Sequence, residues 1–194
     1  MAKSIGKKIN TAIFISGSGT NLKSIIKSSL KKNFPIKVGL VITNNKYAKG
    51  LNYAKKFKIK NKFISSKKMN LFENKTLKLI KKNNIKLICL AGFMKILSKQ
   101  IVNVYKNRIL NIHPSLLPKY KGLNTHNRVI MNKEKFTGCT VHLVNSKLDS
   151  GKIILQKKIK VLKKDNENSL SKRVLKFENL IYPKAIKKFI ASNL

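Results

Sequence analysis

The chain has 194 residues, 42% of them apolar, and carries 44 Lys and Arg against 6 Asp and Glu, a formal net charge of +38 at pH 7. That length is one ordinary domain, expected to span 1–194 with residues 1–9 as a flexible basic start, and the apolar share is enough for a real core. The charge alone does not make a dedicated nucleic-acid module: the only arginines are Arg108, Arg128 and Arg173, and the lysines are spread along the whole chain, where base and phosphate reading favours clustered Arg.

In chain order, the basic start leads into a short apolar run, Thr11–Ser16, read as a strand and too short for a secretory leader. Ser16-Gly17-Ser18-Gly19-Thr20-Asn21 follows. Its glycines permit a sharp turn, and a helix over Thr20–Lys32 would add a partial positive charge, so a phosphate fits there. The plainer reading is a tight strand-to-helix turn with Thr20 as N-cap. Leu22 stands where a dinucleotide fingerprint needs its third glycine, which disfavours nicotinamide and flavin cofactors.

Strands are next expected at Pro35–Thr43, weakly at Asn61–Ile64, and at Lys86–Ala91, alternating with helices at Lys46–Lys58 and Asn70–Asn83. Leu87–Ala91 is unbroken apolar sequence, as in a strand buried on both faces. Gly92-Phe93-Met94-Lys95-Ile96 then closes that strand with apolar groups able to clasp a flat ligand, although for this stretch alone a strand end feeding a core helix is the stronger reading. A helix at Ser98–Tyr105 and a strand at Arg108–Ile112 bring the chain to Asn111-Ile112-His113-Pro114. Positions i and i+2 of a strand share a face, so a carboxamide and an imidazole stand side by side where Pro114 ends the pairing. They can donate to a carbonyl oxygen, and Asp149, one of six carboxylates, can supply the base.

After a helix at Thr125–Asn132, strands at Thr137–Val144 and Ile153–Val161 are joined by a loop too short for a parallel crossover, hence antiparallel. Asp149-Ser150-Gly151 in that loop also reads as a simple turn. A last helix covers Asn168–Ser192, with Pro183 implying a kink or break. His126 and His142 read as structural or peripheral. Cys89 and Cys139 sit in apolar runs and read as buried reduced thiols, which places the protein in the cytoplasm. No spacing points to a metal site, and no segment reaches membrane-span length. The fold class is therefore α/β: a single domain with a mainly parallel twisted sheet, helices on both faces and an antiparallel C-terminal strand pair. The loops after Ser16, Ala91 and Ile112 are expected to share one cleft beyond the strand ends.

Taken in order, these motifs resemble the folate-dependent phosphoribosylglycinamide formyltransferase family of purine synthesis, from about residue 10 to about residue 190. The segments Leu110–Gly122 and Leu148–Gln156 carry most of it. The resemblance implies a Rossmann-like formyltransferase fold, 10-formyltetrahydrofolate as one-carbon donor, and the amine of a glycinamide ribonucleotide as acceptor. By position it implies that Asn111, His113 and Asp149 are the catalytic trio, and that Gly19, Thr20 and Asn21 hold the substrate phosphate. Glu178 would meet the glycinamide end. The folate would meet Lys68, Phe93, Met94, Lys95, Ile96, Asn111, Asn145, Ser146, Lys147, Leu148 and Asp149.

The chain departs from the pattern at Lys121 of Lys119-Tyr120-Lys121-Gly122, at Asn124, and at Asn145-Ser146-Lys147. Lys68 is the nearest stand-in for an expected Arg. In the implied reaction Asp149 holds His113 charged and takes the amine proton through water. Partners are small molecules, with no specific nucleic acid and no membrane, in a monomer or weak homodimer. The rival readings are a methionyl-tRNA formyltransferase-like enzyme, which would explain the charge, a formyltetrahydrofolate hydrolase, and a non-catalytic basic nucleic-acid-binding protein.

Overall fold

The structure, a computed structural model, describes residues 7–193. Residues 1–6 of the expected flexible start lie outside that range, while Ile9 already opens the first strand. The chain divides between Ile109 and Leu110 into two compact units.

The first unit alternates strands and helices: β1 (Ile9–Ile15), α1 (Thr20–Ser29), β2 (Ile36–Thr43), α2 (Gly50–Lys56), β3 (Asn61–Phe63), α3 (Met69–Lys82), β4 (Leu87–Leu90) and α4 (Lys99–Val104). Its strands are parallel, in the order β3-β2-β1-β4. The sequence explains the arrangement. Ala12–Ile15 and Leu87–Cys89 are apolar at every position and have no exposure, as strands covered on both sides must be. Leu22, Ile25 and Ile26 of α1 fall at helical spacing and are likewise fully buried, removing the apolar stripe from water. Phe14, Phe72 and Phe93 join β1, α3 and the loop after β4, with Phe72 and Phe93 stacked at 5.6 Å.

The second unit takes in most of β5 (Ile109–His113), then α5 (Thr125–Met131), β6 (Phe136–Leu143), β7 (Ile153–Lys160) and α6 (Glu167–Asn193). The β6–β7 pair is antiparallel as expected, and β5 also pairs antiparallel with β6. Gly138 is needed on β6 because a Cβ there would collide with the Lys157 carbonyl of β7.

Two local expectations are corrected. The N-cap of α1 is Gly19, not Thr20: it has φ +73°, and no side chain caps the helix. The turn demands a left-handed residue, which Gly adopts without strain. α6 does not break at Pro183 but runs through it without interruption. Leu170, Val174, Tyr182, Ile186 and Phe189 are buried along its inner face, and this packing outweighs the one backbone hydrogen bond the proline removes.

Candidate active site

β5 ends in Asn111, Ile112 and His113, and the backbone then turns through Pro114. The turn is pinned from the neighbouring strands. The Thr140 hydroxyl donates to the Ser115 carbonyl at 2.6 Å and accepts from the Leu117 N–H at 3.2 Å. Gln156 donates to the Leu117 carbonyl at 2.8 Å. The loop after His113 therefore hangs on β6 and β7, and His113, 6% exposed, stands on a fixed frame.

Asp149 gathers the site. Its backbone takes φ +43°, a conformation short polar residues tolerate. Its Oδ2 accepts from the Gly122 N–H at 2.9 Å and lies 3.3 Å from His113 Nδ1. Gly151 permits the loop, since a Cβ there would strike the Leu143 carbonyl. Asp149 is thus more than a turn residue, and the trio is brought together within the second unit.

Proton positions follow from the partners. His113 Nε2 is 2.8 Å from the Tyr120 carbonyl, which can only accept, so Nε2 carries the hydrogen. Nδ1 can then pair with Asp149 only when the ring is doubly protonated. Burial, the largest influence, holds the His113 pKa below its ordinary value, although the Tyr120 carbonyl and Asp149 both work to raise it. An acceptor at each ring nitrogen suits the doubly protonated ring, and burial opposes that charge. For Asp149, burial opposes the charge, but His142, the Gly122 N–H and His113 together outweigh it and hold the carboxyl below its usual range.

His142, read from sequence as structural or peripheral, belongs to this cluster. It pairs with Asn111 across β5 and β6. Its Nδ1 lies 2.7 Å from the Leu143 carbonyl, and its Nε2 lies 3.2 Å from Asn111 Nδ2. With the proton on Nδ1, Nε2 accepts from the Asn111 amide. Asp149 Oδ1 lies 3.6 Å from the same Nε2, an ion-pair distance when that nitrogen also carries a proton. The bond to Nε2 fixes the Asn111 amide with its second N–H available to another acceptor. The cross-strand register was the missing signal, because sequence does not say which residues of β5 and β6 face each other.

The remaining residues fall as follows. Gly19 and Asn21 are buried at the start of α1, and Thr20 is half-buried. Phe93 is buried in the aromatic cluster, while Met94 and Ile96 are 67% and 72% exposed, and Lys95 is exposed with them. The loops after β1 and β4 do meet, since the Met94 N–H donates to Ser16 Oγ at 2.9 Å. Lys68 is exposed at the N-cap of α3 and lines an open groove of about 650 Å³ with Phe63 and Leu71. Asn145 to Leu148 form an exposed turn closed by Asn145 Oδ1, which accepts from the Lys147 N–H at 2.9 Å. Glu178 is buried on α6, where its charge acts on the Cys139 thiol.

A carboxamide with a spare N–H, a buried imidazole and a carboxylate on an α/β frame are groups that can donate to an oxyanion and accept a proton from a nucleophile, the chemistry of carbonyl-group transfer. The chain belongs to the formyl transferase family, whose model matches residues 9–186. It is similar to the phosphoribosylglycinamide formyltransferase of Haemophilus influenzae, 40% identical over 97% of this chain and 89% of that protein. It is also 38% identical to the trifunctional purine biosynthetic protein adenosine-3 of Gallus gallus, covering 92% of this chain but spanning 18% of that longer relative. Among solved structures, glycinamide ribonucleotide transformylase 1 from Symbiobacterium toebii superposes with a TM-score of 0.93 at 35% identity, over 97% of this chain and 91% of that one.

Proposed function

We propose that the protein transfers the formyl group of 10-formyltetrahydrofolate to the amine of 5-phosphoribosylglycinamide, a step of purine synthesis, in the cytoplasm. The observation that carries this reading is the Asp149 carboxylate lying 3.3 Å from His113 while its backbone and side chain are locked by Gly122 and the β6–β7 loop. The amine attacks the formyl carbon, the bond to the folate nitrogen breaks, and the proton that the amine gives up passes to that nitrogen as it leaves. Asn111 donates its spare N–H to the oxyanion. His113, doubly protonated with Nδ1–H on Asp149, turns its Nε2–H from the Tyr120 carbonyl to the oxyanion. Asp149 takes the amine proton through water. Gly19, Thr20 and Asn21 hold the phosphate at the N-terminus of α1. Lys68, Phe93 to Ile96 and Asn145 to Asp149 hold the folate, and Glu178 the glycinamide end.

The test is formyl transfer from 10-formyltetrahydrofolate with and without glycinamide ribonucleotide. Transfer is expected only with both. His113→Ala and Asp149→Asn are each expected to lower kcat by about 10²–10³-fold or more. Near-normal turnover in either variant takes that residue out of the chemistry, and formyl release that ignores the ribonucleotide points to a hydrolase instead.

A further inference from the structure

We infer that Ser16 and Asn44 are positioning residues that couple the loop after β4 to the loop after β1, so that folate and ribonucleotide bind with positive cooperativity. The inference rests on the assignment of those two loops to folate and ribonucleotide. Ser16 is the last residue before the Gly17 turn, and it is gripped on several sides. Its N–H donates to the Gly92 carbonyl at 3.0 Å. Its hydroxyl accepts from the Met94 N–H at 2.9 Å and donates to Asn44 Oδ1 at 2.7 Å. Asn44 in turn donates to Ser66 Oγ at 3.1 Å, and Asn45 donates to the Ser16 carbonyl at 3.1 Å. The Gly50 N–H, at the start of α2, closes on the Gly17 carbonyl at 3.0 Å.

Only a hydroxyl can accept from Met94 and donate to Asn44 at once. Both loops present exposed tips, Gly17 and Ser18 on one side and Met94 to Ile96 on the other. A ligand that orders one tip therefore orders the other through Ser16, and the second ligand meets a loop already fixed. A purely structural Ser16 would change both affinities without changing the factor by which one ligand improves the other.

Isothermal titration of glycinamide ribonucleotide, alone and with saturating 5-formyltetrahydrofolate as a non-transferring folate, measures that factor. For the unaltered protein a gain of about fivefold or more is expected, within the range of ordinary coupling between sites. Ser16→Ala and Asn44→Ala are each expected to bring the factor close to one while both ligands still bind singly, and Ser16→Thr to keep it. Hydrogen exchange at the Met94 amide is expected to slow on addition of ribonucleotide alone, and not to do so in Asn44→Ala. A factor of one in the unaltered protein with both ligands binding overturns the coupling and leaves the functional reading standing. So does an undiminished factor in folded Asn44→Ala. Failure of either ligand to bind the unaltered protein overturns both.

Discussion

An aspartate held at φ +43° beside two histidines is a poor way to close a hairpin and a good way to fix a carboxylate. The protonation of that cluster has a consequence for stability. His113 has a folded pKa below its ordinary value because it is buried, so between that value and the unfolded one, near 6.5, the unfolded chain binds the extra proton. Its contribution is present above the unfolded pKa and is lost as pH falls. His126, also held low by burial, has the same sign, and Asp149 adds a further loss only in the region of the ordinary carboxyl range and below. The urea midpoint is therefore expected to fall between pH 7.5 and 5.5, and to fall less in His113→Gln. An equal fall in that variant would show that His113 titrates normally. The thiols make a second check: Cys139 is pushed up to about 12 by burial, and Cys89 is fully buried. Neither is expected to react with iodoacetamide at pH 8 in the native protein, and both in 6 M urea. Much of the candidate site was legible in the sequence because His113 and Asp149 are scarce types and Asn111 stands two residues before His113 on one strand. His142 was not, because its role comes from facing Asn111 across a register the sequence leaves open.

The elements were legible where periodicity is strong, with ends differing by a few residues. They were least so where tertiary packing overrides a local rule. α6 carries Pro183 without a break because its inner face is buried from Leu170 to Phe189. The antiparallel pairing of β5 with β6 was likewise hidden, since a strand followed by a helix reads as one more parallel unit. α6 is also tied to β5 by the fully buried Tyr182, whose hydroxyl donates to the Leu110 carbonyl at 3.0 Å, one residue before Asn111. Tyr182→Phe leaves that buried acceptor without this donor. A loss of about 1–3 kcal/mol in urea unfolding is expected, with a further fall in kcat if the carbonyl helps to hold Asn111 in place. Unchanged unfolding free energy would mean that water replaces the hydroxyl.

For the whole molecule the dominant physical fact is 44 basic residues against 6 acidic ones. Among the described residues Lys and Arg form ion pairs with carboxylates, Lys119 with Glu134 at the surface and Arg173 with Asp165. The lysines thus chiefly repel one another, and self-repulsion of this kind opposes the folded state. Salt shortens the reach of that repulsion from about 30 Å at 0.01 M to about 10 Å at 0.1 M. Raising NaCl from 0.01 to 0.3 M is therefore expected to raise Tm, by about 2–4 °C for each kcal/mol of repulsion removed at this chain length. In the proposed reaction the same field would draw the anionic substrates inward, so kcat/KM is expected to fall over the range in which Tm rises. Scanning calorimetry and initial rates on one salt series give both slopes. A Tm that falls with salt would mean that attractive pairs outweigh the repulsion. A kcat/KM that does not respond would mean that the charge lies too far from the substrates' path to act on them, leaving the lysines with a cost in stability and no part in catalysis.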